Sequence, residues 1–160
     1  MSRVANRIKQ LGLTLPAPMQ VPKGVVLNFP WVNVRGNQAF VSGHGPLNED
    51  GSLSGPFGQV GSDVSVEDAA KLAEKTGLAM LASLQTQLGD LDRITGWRSI
   101  FGMVNSAPGF GEQPTVINGC TDLILNVFGP VTGSHSRSAV GMAALPMKLA
   151  VEIEAVVAFE

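Results

Sequence analysis

The sequence has little of what several common protein classes depend on. Its 160 residues include one cysteine, Cys120, so an intramolecular disulfide is excluded and a reducing compartment is the simpler expectation. Charged residues make up only 15%, the net charge is −2, and lysine and arginine never cluster, which argues against a nucleic-acid surface. No window approaches the roughly 18 apolar residues of a membrane span, and the N-terminus is not typical of a signal peptide. We therefore expect a cytoplasmic protein.

Several chemical motifs are also missing. The chain has no phosphate-binding loop and no Cys-x-x-Cys pair, and the run Gly43-His44-Gly45 is too short for a dinucleotide loop. The two histidines, His44 and His135, lie far apart in sequence, so nothing supports a metal site. Cys120 lies near the start of a predicted helix, but a small, partly buried residue is the simpler interpretation.

The length fits a single domain over residues 1–160, with an N-terminal helix and connector at 1–22 and a core at 24–159. Patterning predicts helices at 2–13, from Ser65 to Leu88, and at 116–128. It predicts strands at 25–27, 31–34, 38–42, 94–104, 138–145 and 149–159, with a hairpin-like link at 146–148. This mixture indicates an α+β fold in which two helices cover one face of a mixed sheet.

The best-defined helix begins at Ser65. Its hydroxyl is placed to cap a free backbone N–H, and Glu67 and Asp68 follow at the positive end of the helix dipole. Apolar and small residues then recur at three- and four-residue steps until Gly89. That stripe is typical of a helix lying on a sheet.

Charged residues interrupt two otherwise apolar strands near the C-terminus. Arg137 opens one of them, and Glu152 and Glu154 lie on a common face of the other. One interpretation is a solvated edge or a structural ion pair. The other is a guanidinium that binds an anion beside a carboxylate that holds water, because the planar fork of arginine pairs bidentately with carboxylates.

The same residues carry a family resemblance. Residues 137–140 read Arg-Ser-Ala-Val, 144–146 read Ala-Leu-Pro, and 151–155 read Val-Glu-Ile-Glu-Ala. Together with Phe-Val-Ser-Gly-His-Gly-Pro at 40–46 and the long helix between them, this pattern resembles the RidA (YjgF-like) family, also called the endoribonuclease L-PSP family. The resemblance spans residues 25–159, and the chain looks like a divergent, longer member.

The resemblance implies a chorismate-mutase-like fold, a homotrimer with sites in clefts between subunits, and no metal or organic cofactor. It implies hydrolysis of reactive enamines and imines, of the 2-aminoacrylate and 2-iminopropanoate type, to 2-oxo acids and ammonia. By motif position, Arg137 would bind the substrate carboxylate and Glu152 would orient the attacking water. Ser42 and Gly43 would line the pocket, and Asn118 matches a pocket asparagine.

The chain also departs from the family pattern. It contains no tyrosine, and Phe29 stands where many members place a tyrosine that reaches the site. Ala139 replaces a frequent cysteine two residues after the arginine, and His44 replaces a usual glutamine. Phe29 and Ala139 therefore enter as substrate-binding candidates. The N-terminal helix and the loop at 105–114 are additional.

Two other functions remain open at this stage. A non-catalytic trimer that binds a small carboxylate metabolite needs only Arg137, so the presence of Glu152 as well favours an enzyme. Endoribonuclease action or inhibition of translation is disfavoured because no basic stripe is present. Cys120 matches no functional position of the family and is expected to be dispensable.

Overall fold

A computed structural model describes residues 2–160. The helices and strands follow one another in the order α1 (Arg3–Gln10), β1 (Val32–Arg35), β2 (Gln38–His44), α2 (Val66–Leu88), β3 (Ile94–Asn105), α3 (Gln113–Thr132), β4 (Ser136–Met142) and β5 (Val151–Phe159). Short 3₁₀ turns lie before β3 and before β5.

The strands form one mixed sheet in the order β1-β2-β5-β3-β4. Neighbouring strands are antiparallel except β3 and β4, which run parallel. A parallel pair needs a crossover connection, and α3 supplies it by joining β3 to β4. The predicted α+β class and mixed sheet are confirmed.

Alternation along β5 separates the two faces of the sheet. Val151, Ile153 and Val157 are fully buried beneath the helices, whereas Glu152 and Glu154 belong to the opposite face. Helices α2 and α3 pack against each other and cover only the first face. The other, which we call the open face, carries apolar side chains that are partly exposed in the single chain, Phe40 on β2 and Phe101 on β3.

The ends of α2 agree with the sequence prediction. The Ser65 hydroxyl accepts a hydrogen bond from the backbone N–H of Asp68 at 3.0 Å, which satisfies one of the free donors of the first turn. Gly89 ends the helix with φ +83°, a conformation that glycine adopts without steric cost.

Two predicted segments are wrong, and the start of one predicted strand differs. Residues 25–27 form no strand, and Val26 is 77% exposed, because β1 forms the sheet edge and no strand lies beside it for this segment to pair with. The segment Pro146–Lys148 is a 3₁₀ turn and not a hairpin-like link, since β3 lies between β4 and β5. Strand β4 begins one residue before Arg137, so the arginine lies within the strand.

Two helix boundaries also differ from the prediction. Helix α1 ends at Gln10, earlier than expected, and Gly12 follows with φ +68°. Helix α3 is longer than the predicted 116–128, with a proline in its first turn and a kink at Gly129, where φ is +78°. The backbone at Gly129 is not helical and divides α3 into two parts. Helical periodicity in the sequence therefore stops at the kink and does not predict the second part.

The two long helices come into close contact at Gly119 of α3. A Cβ atom at this position would overlap the backbone carbonyl of Ala70 on α2. A backbone atom cannot rotate away as a side-chain end can, so the glycine fixes the distance between the helices.

Replacing Gly119 with alanine is therefore expected to destabilise the fold by about 1–3 kcal/mol through overpacking. Gly111→Ala is the matched control, because a Cβ at position 111 meets no atom within 4 Å. Urea unfolding of both variants at equal protein concentration measures the effect. Equal midpoints for the two variants would contradict this account of the helix contact.

Candidate active site

Arg137 projects from the helix-covered face of β4 toward α3. Its Nη1 donates to Asn118 Oδ1 at 2.8 Å and to Thr121 Oγ1 at 3.0 Å, and its Nη2 donates to the Pro114 carbonyl at 3.3 Å. All three acceptors are uncharged. Among residues 2–160, the ion pairs join Lys71 to Glu67 and Asp68 and leave Arg137 out. The guanidinium is thus oriented by neutral groups while its charge stays available to an anion.

A histidine orients the threonine that holds this arginine. His135 Nδ1 donates to the Gly133 carbonyl at 2.7 Å, so in the neutral ring Nε2 accepts from the Thr121 hydroxyl at 3.1 Å. The Thr121 oxygen then turns its lone pairs toward Arg137. We call Arg137, Asn118, Thr121 and His135 the arginine half-site.

Glu152 lies on the open face of β5, against a bulge in β2. A Cβ atom at Gly43 would overlap Glu152 Oε1, so the absence of a side chain at this position leaves room for the carboxylate. The bulge falls between Val41 and His44. Ser42, within it, donates from its hydroxyl to the Pro30 carbonyl at 2.8 Å. We call Glu152, Gly43 and Ser42 the glutamate half-site.

Two effects raise the pKa of Glu152 above its ordinary value. The larger is burial, which disfavours the charged form, and the smaller is repulsion from the carboxylate of Glu154 on the same face. A carboxyl group with a raised pKa exchanges protons closer to neutral pH than an exposed glutamate does. This property is typical of a general acid or base.

The two half-sites of one chain do not meet. In the sheet register Arg137 pairs with Ile100 and Ile100 pairs with Ala155, so Arg137 shares the helix-covered face with Ala155. Glu152 pairs with Met103 and points to the other face. The structure brings Asn118 to Arg137 and Gly43 to Glu152, but it keeps Arg137 and Glu152 apart.

The remaining predicted site residues lie near one half-site or the other. Phe29 is 49% exposed and makes an edge contact with Trp31 at 5.6 Å between ring centroids. It borders a cavity of about 310 Å³ on the open face, together with Ser42 and Glu154. Ala139 is half-buried on β4, on the same face as Arg137.

Thr121 and His135 were missed by sequence reasoning. A signal existed, since His135 stands two residues before Arg137 and Thr121 stands three after Asn118, one helical turn along α3. Neither spacing is specific enough without knowing that α3 packs beside β4. The tertiary contact is what gives both residues a role.

Cys120 lies within the core of α3 and is fully buried. Burial raises the pKa of its thiol to about 12, and the nearby positive charge of Arg137 offsets only part of that rise. The thiolate is the nucleophilic form of cysteine, so this side chain is unsuited to nucleophilic chemistry.

Residues 2–160 hold no cluster of three or more histidine, cysteine, aspartate or glutamate side chains placed to bind a metal ion. None of the helices described in this range is long and apolar enough to cross a membrane.

Comparison with known proteins identifies relatives over nearly the whole chain. The family described as "YjgF/chorismate_mutase-like, putative endoribonuclease" matches residues 6–155. Protein TCP17 of Trypanosoma cruzi is 39% identical over 155 residues, which is 97% of this chain and 93% of that protein.

Solved structures agree with this match. Atu1372 of Agrobacterium tumefaciens, a protein of unknown function, is 39% identical with a TM-score of 0.86, over 98% of this chain and 94% of that one. An endoribonuclease-like protein of Shewanella oneidensis is 26% identical with a TM-score of 0.89, over 98% and 99% of the two chains.

The burial of Cys120 leads to a direct expectation. Iodoacetamide at pH 8 should fail to alkylate the folded protein, and in urea the same thiol should react at the rate of a free cysteine. Mass spectrometry counts the added groups. Rapid alkylation of the folded chain would show that the thiol is accessible and would reopen a chemical role for Cys120.

Proposed function

This chain belongs to the YjgF/chorismate mutase-like family, and we propose that it is a hydrolytic deaminase of reactive enamines and imines that carry a carboxylate. Its substrates are of the 2-aminoacrylate and 2-iminopropanoate type, and its products are 2-oxo acids and ammonia. The proposed reaction uses neither a metal nor an organic cofactor. A cytoplasmic location stays a prediction.

The unneutralised Arg137 is the observation that carries this proposal. Its Nη1 is anchored by Asn118 and Thr121, so the direction of the guanidinium plane is set before a ligand arrives. A fixed guanidinium matches the two oxygens of a carboxylate. A structural ion pair, the competing interpretation, would require an acidic partner, and the groups around this arginine are neutral oxygens.

A homotrimer supplies the second half of each site. The open face carries Phe40 and Phe101, 41% and 36% exposed in the single chain, and packing against other copies would cover them. In a cyclic trimer the arginine half-site of one copy faces the glutamate half-site of its neighbour. Each cleft then contains one guanidinium and one carboxylate, although no single chain brings the two together.

The reaction then follows from the two charges. Arg137 holds the substrate carboxylate so that the adjacent imine carbon lies beside the neighbouring copy's carboxylate, equivalent to Glu152. An enamine substrate first gains a proton at its terminal carbon and becomes the imine. Water, hydrogen-bonded to the carboxylate, adds to the imine carbon, and the carboxylate takes a proton from this water and passes it to the imine nitrogen, which gives a carbinolamine. The carboxylate then takes the hydroxyl proton of the carbinolamine and passes it to the nitrogen. The C=O bond forms as the C–N bond breaks, and ammonia leaves behind a 2-oxo acid.

Phe29 and Ala139 make the chemistry of the proposed pocket different from that of many family members. Phe29 offers a ring without a hydroxyl, and Ala139 offers a methyl group without a thiol. The proposed mechanism assigns no proton transfer to either position. Both residues shape the cleft and would influence which side chain of the substrate is accepted.

Substitutions of Arg137 and of Glu152 are expected to change ligand binding and kcat in different ways. Arg137→Ala should lose both binding and rate, and Arg137→Lys should not restore them, since a point charge on a flexible stem cannot fix the geometry. Glu152→Gln should lower kcat by about 10²–10⁴-fold with little change in carboxylate affinity. Deaminase kinetics on freshly generated 2-aminoacrylate and calorimetry with pyruvate measure the two effects.

The same two assays, applied to the wild-type protein and to both variants, separate the competing functions. A wild-type protein that binds pyruvate through Arg137 but releases no 2-oxo acid from 2-aminoacrylate is a carboxylate-binding trimer and not an enzyme. Wild-type pyruvate affinity in Arg137→Ala would remove the site assignment. Wild-type kcat in Glu152→Gln would remove the role given to the carboxylate.

The raised pKa of Glu152 sets the pH dependence. The carboxylate acts in its ionised form, so kcat should fall as the pH drops through that raised pKa, and the acidic limb should lie above pH 4.5. Glu154→Gln should move the limb to lower pH, though not fully to the ordinary value, because burial is the larger cause. Glu67→Gln is the control, because it removes an exposed carboxylate on α2 and should leave the acidic limb unchanged. A limb that stays in place in Glu154→Gln would contradict the assignment.

A further inference from the structure

A second cavity lies next to the glutamate half-site, because its lining includes His44 and Gly45, which directly follow Gly43 in the sequence. It measures about 610 Å³, which is within the range of small-molecule sites. One wall is the N-terminal connector at 15–19, the other is the C-terminal half of α2, and Trp31 and His44 lie between them. The proposed deaminase makes no use of this cavity.

The connector wall is fixed in position. The backbone N–H of Ala17 donates to the Glu49 carbonyl at 2.9 Å, and that of Gln20 donates to the Gly51 carbonyl at 2.9 Å. A Cβ at Gly51 would overlap the Pro18 carbonyl, so the two segments touch directly. The cavity is thus a formed feature of the fold, bounded by hydrogen-bonded backbone.

The polar end of the cavity is a buried histidine that holds a serine hydroxyl. His44 is 4% exposed, and its Nδ1 lies 2.6 Å from the Ser42 carbonyl, which makes Nδ1 the donor. Burial lowers the pKa of His44, and the bond to Ser42 offsets only part of this, so the ring is neutral and Nε2 is an acceptor. The Ser83 hydroxyl, 2.8 Å away, therefore donates to Nε2.

This arrangement leaves the Ser83 oxygen as an acceptor at the edge of the cavity. Its only proton is engaged by His44, and its free lone pairs are open to a donor group of a ligand. Trp31 packs against the same imidazole in a tilted arrangement, with 4.8 Å between ring centroids, and offers a flat apolar surface next to the hydroxyl.

The walls carry no charge to match an ionic ligand. Of the residues described between positions 2 and 160, those lining this cavity include no aspartate, glutamate, lysine or arginine. Half of the lining residues are instead proline, alanine, leucine or tryptophan, and the additional polar side chains are the amides and hydroxyl of Gln85, Thr86 and Gln87. A carboxylate or ammonium group placed here would lose water without gaining a partner.

We propose that this cavity is a binding site for an uncharged, ring-sized apolar molecule that donates one hydrogen bond to Ser83. Phenol-like and indole-like compounds belong to this class. The ring lies against Trp31 and the prolines of the connector. The site differs in chemistry from the arginine half-site, which selects a negative charge.

Three naphthalene probes test this assignment by calorimetry at neutral pH. 2-Naphthol carries a donor, 2-methoxynaphthalene lacks it, and 2-naphthoate is charged. Wild-type protein should bind naphthol about five-fold more tightly than the methyl ether, the usual magnitude of one hydrogen bond. Ser83→Ala should abolish that preference, and Ser62→Ala, an exposed serine outside the cavity, should retain it.

Filling the cavity identifies where the probes bind. Ala82→Phe places a ring in it from α2, and Thr86→Phe does so one turn further along, at an exposed position. Both variants should lose naphthol binding while keeping the circular dichroism of the wild type. Binding of 2-naphthoate at the Arg137 site should persist in both.

Three results would overturn the proposal. The first is no naphthol binding at millimolar concentration. The second is naphthol binding that survives in both filled variants. If the oligomeric state of these variants also changes, the cavity is a contact between copies. The third is a 2-naphthoate affinity equal to that of naphthol and lost in the filled variants. None of these outcomes bears on the deaminase assay.

Discussion

The alternation of side chains along β5 is the constraint on which the rest of the structure depends. Residues of odd number, such as Val151 and Ile153, are buried under the two long helices, so Glu152 must point to the open face. The same geometry in β4 turns Arg137 toward α3. Arg137 and Glu152 belong to the same C-terminal sequence motif, but this geometry places them on opposite faces of the sheet. Assembly of several copies is the simplest way to unite them.

Small residues allow the polar groups of the site to approach one another. Gly43 leaves room for the Glu152 carboxylate, Gly119 lets α3 lie against α2, and Gly102 on β3 leaves room for Ile117 of α3. The position of α3 in turn decides where Asn118 and Thr121 meet Arg137. Glycines at these contacts thus control the direction of a guanidinium through the packing of a helix.

Much of the fold could be predicted from local patterns, because the signals were periodic or chemically specific. The start of α2 at Ser65 and its end at Gly89 follow from capping chemistry. The failed strand at 25–27 had the right composition but no partner, and strand pairing is a tertiary property. The link at 146–148 was misread because adjacent apolar strands suggest a hairpin unless a third strand enters between them.

The site divides in the same way. Arg137 and Glu152 stand out in the sequence because charge is rare in apolar strands, whereas Thr121 and His135 became visible only when α3 was placed beside β4. The pairing of His44 with Ser83 has no sequence signal, since the two lie 39 residues apart and meet across a helix and a strand. Tertiary packing, and not motif spacing, creates such contacts.

Subunit mixing tests the central claim most directly, namely that each site takes its guanidinium from one copy and its carboxylate from another. Arg137→Ala and Glu152→Gln chains, each inactive alone, would be co-expressed with different tags and the mixed trimers purified. The purified mixed trimers should recover about a third of wild-type turnover, because in a cyclic trimer of two chain types one cleft of the three combines an intact arginine with an intact glutamate. Mixed trimers as inactive as the parent variants would show that both residues must come from the same chain and would contradict the account.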